Sequence, residues 1–194
     1  MGEGVAGAAD KAGETFAQEI AKRTLQLVDT GKTMPIVLID GRSNSGKSTL
    51  AQQVQNIIFK DGESAPRVIH MDDLYPGWDG LQAGADYLQR FILNPLSKNE
   101  IAHWQEFNWS KNERDVWREF AGGTPLIIEG CGSLNQQSAP MADVKIWLEV
   151  DETTRHQRWL EREGSNQHWA EWAAQELDFY AREKSAQLAD KFIA

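Results

Sequence analysis

The chain has 194 residues, of which 41% are hydrophobic, so it is long enough for one domain with a substantial core. Its 29 acidic residues outnumber its 20 Lys and Arg residues, and the formal net charge of −9 argues against nucleic acid or an anionic membrane as a partner. A single cysteine, Cys131, no apolar run of about 20 residues and no signal-peptide pattern together predict a cytoplasmic protein.

Residues 1–33 are predicted to form an N-terminal tail followed by one helix. The first 13 residues are rich in glycine and alanine, and we expect them to be disordered. From Glu14 onward, apolar residues such as Phe16, Ile20 and Leu27 recur at helical spacing until Gly31. We expect this helix to pack against the domain formed by residues 34–194.

A phosphate-binding motif follows the first predicted strand. The run MPIVLID, residues 34–40, is continuously apolar up to its last residue, as in a strand buried on both faces of a parallel sheet. The next residues, GRSNSGKST, match the pattern GxxxxGK[ST], and Leu50, Val54 and Ile57 then recur at helical spacing. A plain Gly/Ser turn is the alternative, but a loop between a strand and a helix N-terminus favours a phosphate site.

Each residue type in this motif has a role in binding a nucleoside triphosphate. Glycines let the backbone N–H groups turn inward, Lys47 carries positive charge to the β- and γ-phosphates, and Ser48 offers a hydroxyl to Mg²⁺. We therefore predict that ATP is bound by Gly41, Arg42, Ser43, Asn44, Ser45, Gly46, Lys47, Ser48 and Thr49.

Two further predicted strands end in acidic residues. The run RVIHM leads into Asp72 and Asp73, and the run TPLII leads into Glu129. Ligands bind at the carboxyl ends of parallel strands, so we expect Asp72, with Tyr75 and Trp78, to face the phosphates. Glu129 is expected to hold a Mg²⁺-bound water across from Ser48. The alternatives are a capping or solvated turn for the aspartates and loop capping for Glu129.

The segment between these two strands is rich in aromatic residues. Apolar spacing predicts a helix over residues 83–96. Trp117 and Phe120, three positions apart, are expected on the buried side of a second helix that Gly122 and Gly123 end. The stretch FNW, with Phe107 and Trp109, is a candidate wall for a substrate pocket. The lone His103 is interpreted as a structural or surface residue and Cys131 as a small packing residue, and no Cys/His pattern predicts a zinc site.

An arginine row follows the fourth predicted strand, DVKIWLEV. Asp151 can cap the next helix, in which Arg155, Arg158 and Arg162 are spaced so that they share one face. Such a row is a candidate phosphate clamp, because a guanidinium binds phosphate oxygens in pairs; the alternative is a solvated face paired with nearby glutamates.

The last helix is predicted to serve mainly in packing against the core, and the closing residues FIA are predicted to form a short fifth strand.

Taken together, the order of strand, GRSNSGKST, strand, MDDLY, strand, EG, strand and arginine-rich helix resembles the P-loop kinases of the uridine kinase and phosphoribulokinase group. The resemblance runs from about Met34 to the C-terminus. It implies an α/β three-layer sandwich with a parallel sheet of about five strands. It also implies that Asp72 acts as base on the acceptor hydroxyl, that Ser48, Asp72 and Glu129 hold Mg²⁺, and that residues 152–165 form a lid.

The resemblance extends less completely to the acceptor site. FNW is similar to the YDF stretch of uridine kinases, with Phe107 in place of tyrosine, and Asn112 falls where that family has a base-reading histidine. Arg114 matches a family arginine, and Asp79 is aligned with an aspartate that holds the ribose. We predict that the acceptor contacts Asp72, Tyr75, Trp78, Asp79, Phe107, Trp109 and Arg114, and that uridine and cytidine are poor substrates.

The function predicted from these features is ATP-dependent transfer of the γ-phosphate to a hydroxyl of a nucleoside-like or other small metabolite. Lys47, Asp72 and Arg158 are the predicted catalytic residues, and Mg²⁺ is the predicted metal. A nucleoside monophosphate kinase is one alternative. A regulatory or non-catalytic nucleotide-binding protein is another, disfavoured because the chain has no NKxD motif. Homodimerisation is left open.

Overall fold

A parallel sheet of five strands lies between layers of helices in the computed structural model, which describes the backbone of residues 3–62 and 64–193 and the side chains of residues 15–62 and 64–193. The strands are β1 Ile36–Gly41, β2 Arg67–His70, β3 Ala102–Asn108, β4 Glu113–Phe120, β5 Leu126–Glu129, β6 Val144–Leu148 and β7 Lys191–Ile193. The helices are α1 Glu3–Asp29, α2 Lys47–Asp61, α3 Leu81–Leu88, α4 Asn94–Ser97, α5 Glu152–Glu163, α6 Trp169–Glu183 and α7 Ser185–Leu188.

The sheet has the strand order β2-β5-β1-β6-β7 and every neighbouring pair is parallel. The predicted fold class is therefore confirmed, and the closing residues 191–193 do form the fifth strand. All six residues of β1 are buried, as expected for the central strand of such a sheet. The carboxyl ends of β1, β2 and β5 meet at one edge, where the predicted site residues follow them.

The core has two layers because alternate residues of β1 point to opposite faces of the sheet. Leu38 packs in the layer that also holds Leu88 and Trp104, and Val37 packs in the layer against α1 and α2. Buried α1 residues such as Ile20 place this helix in the second layer. The helix begins at Glu3, so it includes most of the stretch expected to be disordered. Met1 and Gly2 lie outside the described residues.

The predicted helix before Gly122 is wrong, because residues 102–120 form the antiparallel hairpin β3–β4. Asn112 adopts a left-handed conformation (φ 55°) in the turn that joins the strands. In a strand, residues three apart point to opposite faces, so Phe120 packs on the core while the side of β4 that carries Trp117 faces solvent. Trp117 is 66% exposed and is not a core residue.

The helix predicted over residues 83–96 is confirmed, and it extends as one helical run from Leu81 to Ser97. Its middle, Gln89–Leu93, is a wider π-helical turn placed just before Pro95. Proline lacks the N–H group for an α-helical bond and its ring crowds the carbonyl four residues back, which explains the wider turn. None of the described helices has the length and apolar composition needed to cross a bilayer.

Candidate functional site

The loop between β1 and α2 is shaped as an anion cradle. Gly41 has a φ of 148°, and a Cβ there would lie 2.3 Å from the carbonyl oxygen of Leu148, so only glycine fits. Gly46 (φ 96°) turns the chain into α2. The first N–H groups of a helix have no acceptor within the helix, so those of Lys47 and Ser48 are available to a phosphate.

Lys47 lies inside this loop with its side chain buried. Its Nζ donates to the carbonyl oxygen of Arg42 over 2.9 Å. Burial alone would lower the pKa of Lys47, but nearby acidic groups, among them Glu129 and Asp40, raise it above its ordinary value. The ammonium is therefore held in its charged form beside the loop.

Ser48 and Glu129 are in direct contact at the ends of neighbouring elements. Ser48 Oγ donates to Glu129 Oε1 over 3.0 Å, and His70 Nδ1 lies 2.6 Å from the same oxygen. The register of β2 against β5 pairs His70 with Glu129, which explains why the imidazole reaches the carboxylate. This hydrogen bond raises the pKa of His70. The histidine was not singled out from the sequence.

The donors at this point suit Mg²⁺. The Ser48 hydroxyl and the carboxylates of Glu129 and Asp72 are hard oxygen ligands, and all three line one cavity. Among the described residues, no group of three or more His, Cys, Asp or Glu side chains is gathered as a metal cage. Mg²⁺ is typically held by one or two carboxylates, waters and substrate phosphates, so the set fits a nucleotide-bound metal.

The two aspartates after β2 have different surroundings, although they are adjacent in the single 3₁₀ turn Met71–Asp73. Asp72 lines the cavity, and its pKa is raised by desolvation and by the charge of Glu129. Asp73 is not among the cavity-lining residues; its pKa is raised by desolvation and by the charge of Glu106 on β3. The structure thus places Asp72 at the candidate reaction centre and Asp73 beside the hairpin.

We call the segment from the end of β1 to the start of α2, residues 41–49, the phosphate loop. The cavity has a volume of about 940 Å³, and Ser43 to Thr49 of this loop line it. One group of lining residues is aromatic, and we call it the aromatic wall: Tyr75, Trp78, Trp109, Trp159 and Trp172. A second group, which we call the β7 end, comes from α1, α2 and the strands β6 and β7: Phe16, Gln53, Leu148 and Ile193. Asp72 follows the edge strand β2 and Ile193 lies in the opposite edge strand β7, so Asp72 and the β7 end lie toward opposite edges of the sheet, with the loop after the central strand β1 between them.

The arginine row of α5 divides into two parts. Asp151 caps the helix, as predicted, by accepting from the Thr154 N–H over 2.9 Å. Arg158 and Arg162 line the cavity, and Arg158 Nη1 donates to the carbonyl oxygen of Asn44 over 3.0 Å. Arg155 is buried, does not line the cavity, and forms an ion pair with Glu176 at 3.7 Å. Only two of the three predicted clamp residues therefore face the candidate nucleotide site.

Glu176 was missed by the sequence analysis. This α6 residue is buried, pairs with Arg155, and accepts a 2.5 Å hydrogen bond from the backbone N–H of Ser43 in the phosphate loop. Glu176 therefore holds one side of the phosphate loop by binding the backbone of Ser43. The sequence analysis assigned this helix mainly to packing, and nothing in the neighbouring residues indicates that one of its glutamates contacts the phosphate loop.

Asp40 forms a second buried support of the loop. Its Oδ1 accepts from the Gly41 N–H at 2.6 Å and from the Tyr180 hydroxyl at 2.7 Å, and its Oδ2 accepts from the Leu134 N–H at 2.8 Å. Burial raises its pKa to about 6 despite these hydrogen bonds. The carboxylate thereby joins β1, α6 and the loop after β5. A charged residue ending a continuous apolar strand was the signal available in the sequence.

Several predicted site residues lie away from the cavity. Gly41 and Arg42 support the loop, and Arg42 lines a separate small pocket of about 300 Å³. Phe107 is buried against the edge of Trp109, with ring centroids 5.5 Å apart, and is not among the residues lining the cavity. Asp79, Arg114 and Asn112 are also outside the lining, whereas Ser43 to Thr49, Tyr75, Trp78 and Trp109 belong to it.

Arg114 has become a structural residue. Its guanidinium donates to the carbonyl oxygens of Gln105 at 3.0 Å and Leu74 at 2.9 Å, and it lies 3.5 Å from the ring centroid of Tyr87. These contacts tie the hairpin to the segment after β2. Cys131 is buried, which raises the pKa of its thiol well above the ordinary value, in keeping with a packing residue.

Comparison with known proteins finds solved structures with the same fold. No protein-family profile and no curated protein sequence matches the chain. A candidate uridine kinase from Bacillus stearothermophilus superposes with a TM-score of 0.62 and 18% identity, covering 91% of this chain and 100% of the other. A candidate fructose transport system kinase from Silicibacter sp. TM1040 superposes with a TM-score of 0.56 and 21% identity, covering 91% of both chains. The predicted resemblance is thus confirmed at the level of the fold.

Proposed function

We propose that this protein is a kinase that transfers the γ-phosphate of ATP to a hydroxyl group of a small molecule. The observation that carries the proposal is the convergence of Lys47, Ser48, Asp72 and Glu129 on one cavity at the phosphate loop. A cradle for phosphate, hard oxygen ligands for Mg²⁺ and a carboxylate for the acceptor are the parts that phosphoryl transfer requires.

The nucleotide is oriented by the two ends of the cavity. We assign the base to the β7 end, where Phe16, Leu148 and Ile193 supply apolar surface and Gln53 supplies an amide. The triphosphate then crosses the phosphate loop, with the N–H groups at the start of α2 and the charge of Lys47 on its oxygens. The terminal phosphate points toward Asp72 at the opposite edge of the sheet.

The acceptor hydroxyl is held by Asp72. The oxygen of the acceptor hydroxyl forms a bond to the γ-phosphorus while the bond between the γ-phosphorus and the β–γ bridging oxygen breaks, and ADP leaves. The hydroxyl proton passes to the Asp72 carboxylate late in the transfer, so a strong base is not required. Mg²⁺, when bound at Ser48, Glu129 and Asp72, supplies charge neutralisation on the phosphate oxygens.

Helix α5 completes the site. Arg158 and Arg162 extend into the cavity from the side facing the loop, where they can pair with phosphate oxygens and help exclude water. Arg158 donates to the Asn44 carbonyl in this structure, so its guanidinium already lies beside the loop.

The proposal is tested by incubating the protein with Mg·ATP and a panel of nucleosides, nucleoside monophosphates, sugars and alcohols, with products identified by mass spectrometry. A phosphorylated acceptor is expected with wild type and not with Lys47→Ala. If ATP binds but no panel member and no water receives the phosphate, the protein is a nucleotide-binding module. If a nucleoside monophosphate is the best acceptor, the protein is a nucleotide kinase.

A further inference from the structure

The aromatic wall is continuous with the candidate reaction centre. Trp78 lies at its middle, with ring centroids 5.0 Å from Trp109, 5.6 Å from Trp159 and 6.3 Å from Trp172. Trp109 Nε1 donates to the backbone carbonyl of Asp72 over 2.9 Å. A molecule whose hydroxyl reaches the Asp72 carboxylate therefore has its body against these rings.

The polar atoms of the wall are largely used within the protein. Tyr75 donates its hydroxyl hydrogen to the Cys131 carbonyl over 2.7 Å, and Trp159 Nε1 donates to the Ser165 carbonyl over 3.1 Å. With the Trp109 N–H bonded to the Asp72 carbonyl, three of the five wall residues offer no free polar hydrogen to the cavity. Of these three, Trp109 is 38% exposed, whereas Tyr75 and Trp159 are buried, each 1% exposed. The wall is therefore suited to an apolar, flat partner.

Two of the residues that the family resemblance assigned to the acceptor, Arg114 and Phe107, are engaged elsewhere. Arg114 is held by two carbonyl oxygens and the Tyr87 ring, and Phe107 is buried beneath Trp109. Stacked on Trp109, a polyhydroxylated body would place hydroxyls against a ring that offers no free polar partner, and unpaired polar groups are strongly rejected.

We infer that the phosphoryl acceptor is an alcohol carried on an aromatic ring, and not a nucleoside or a sugar. The inference rests on the proposed function and names its substrate class. The ring stacks on the aromatic wall, chiefly on the half-exposed Trp109, and the hydroxyl projects toward Asp72. Affinity for the ring of the acceptor comes from stacking and apolar burial, and its hydroxyl is the one group that binds a polar side chain.

Binding measurements test this inference separately from catalysis. With a non-hydrolysable ATP analogue bound, titration of benzyl alcohol, uridine and ribose by NMR is expected to give at least about tenfold tighter binding of the aromatic alcohol. Trp109→Ala should weaken that binding by about tenfold or more, since a stacked ring contributes on this scale. Trp109→Phe keeps a ring but loses the N–H donated to Asp72, and it should retain most of the affinity.

Trp117→Ala is the matched control, because this tryptophan lies on the same hairpin with its ring in solvent. It should leave the affinity unchanged within twofold. The inference is overturned if uridine or ribose binds as tightly as the aromatic alcohol, or if Trp109→Ala behaves like Trp117→Ala. Binding of the ATP analogue is measured on its own, and its absence would instead refute the proposed function.

Discussion

Ser48 and Glu129 lie 81 positions apart, yet the hydroxyl of the first donates a 3.0 Å hydrogen bond to the carboxylate of the second. They meet because α2 starts just after β1, and β5 is a direct neighbour of β1 in the sheet. A hydroxyl and a carboxylate at this distance are the two oxygen ligands that the proposed function assigns to Mg²⁺.

Removing either oxygen ligand should weaken the response to Mg²⁺. Ser48→Ala and Glu129→Gln are each expected to raise the Mg²⁺ concentration for half-maximal activity by about tenfold or more, because each loses a metal ligand. Ser97→Ala, which changes an exposed serine at the end of α4, serves as the control. An unchanged Mg²⁺ titration in Ser48→Ala and Glu129→Gln would contradict this assignment.

The two neighbouring aspartates should differ in kinetics. Asp72→Asn is expected to lower kcat by a factor of about 100 or more while nucleotide affinity stays within a few-fold, because a group on the acceptor side contributes little to holding ATP. Asp73→Asn should have a much smaller effect. If it were the more damaging of the two, the assignment of the base would be wrong.

The pH dependence of the same reaction follows from the raised pKa of Asp72. Below that pKa the carboxyl of the free enzyme is protonated and cannot accept the acceptor proton, so kcat/KM for Mg·ATP, which reports groups of the free enzyme, should fall as the pH decreases through it. The decrease should begin at a higher pH than an ordinary aspartate would give. A pH profile of the residual activity of Asp72→Asn should lack this acid limb, and its persistence would assign the limb to another group.

Arg158→Ala and Arg155→Ala should have different effects on nucleotide binding and on stability, although both arginines lie in the same row of α5. Arg158→Ala is expected to weaken ATP binding and to abolish hydrogen-exchange protection of residues 152–163 by an ATP analogue, with stability nearly unchanged. Arg155→Ala leaves the buried carboxylate of Glu176 without its ion-pair partner and should lower the unfolding free energy by roughly 3–5 kcal/mol. Arg182→Ala, an exposed change on α6, is the control for both. Equal effects of Arg155→Ala and Arg158→Ala on nucleotide binding would contradict the division of the row.

Asp40 should give the folded state a specific pH dependence. Its pKa is about 6 in the folded protein and 3.8 for an ordinary aspartate, so the folded state binds this proton more tightly. The unfolding free energy should therefore fall as the pH rises from about 4 to about 6, by up to about 3 kcal/mol. Asp40→Asn removes this contribution, so urea titrations at several pH values should show a shallower decline than in wild type or the exposed control Asp178→Asn. Parallel curves for Asp40→Asn and wild type would disprove this origin of the dependence.

Much of the fold could be predicted because a parallel sheet imposes a simple pattern. The strands β1 and β5 are apolar runs that end in an acidic residue or just after one, and β6 is apolar except for Lys145. Ser48, Asp72 and Glu129 could be placed together because each lies at a strand end or in the segment just after one. The hairpin was missed because Trp117 and Phe120 also satisfy helical spacing. Strand pairing between β3 and β4 depends on the turn at Asn112, whose left-handed conformation is not specified by spacing.

The supporting residues of the site could not be predicted from local pattern. Glu176 binds the Ser43 N–H only because α6 packs beside the phosphate loop, and Arg155 is buried only because Glu176 meets it there. Likewise, Arg114 matches a family arginine in sequence but is used to tie the hairpin to the Leu74 carbonyl. The roles of these residues depend on contacts between elements distant in the chain.

If the phosphate loop serves phosphoryl transfer, the reaction requires the buried charge of Lys47. The measurement is single-turnover transfer from γ-³²P-labelled ATP to the best acceptor, with Lys47→Ala compared with Lys60→Ala, an exposed lysine at the end of α2. Loss of the loop charge should lower the transfer rate by a factor of about 100 or more, while Lys60→Ala retains the wild-type rate. A near wild-type rate in Lys47→Ala would contradict the account.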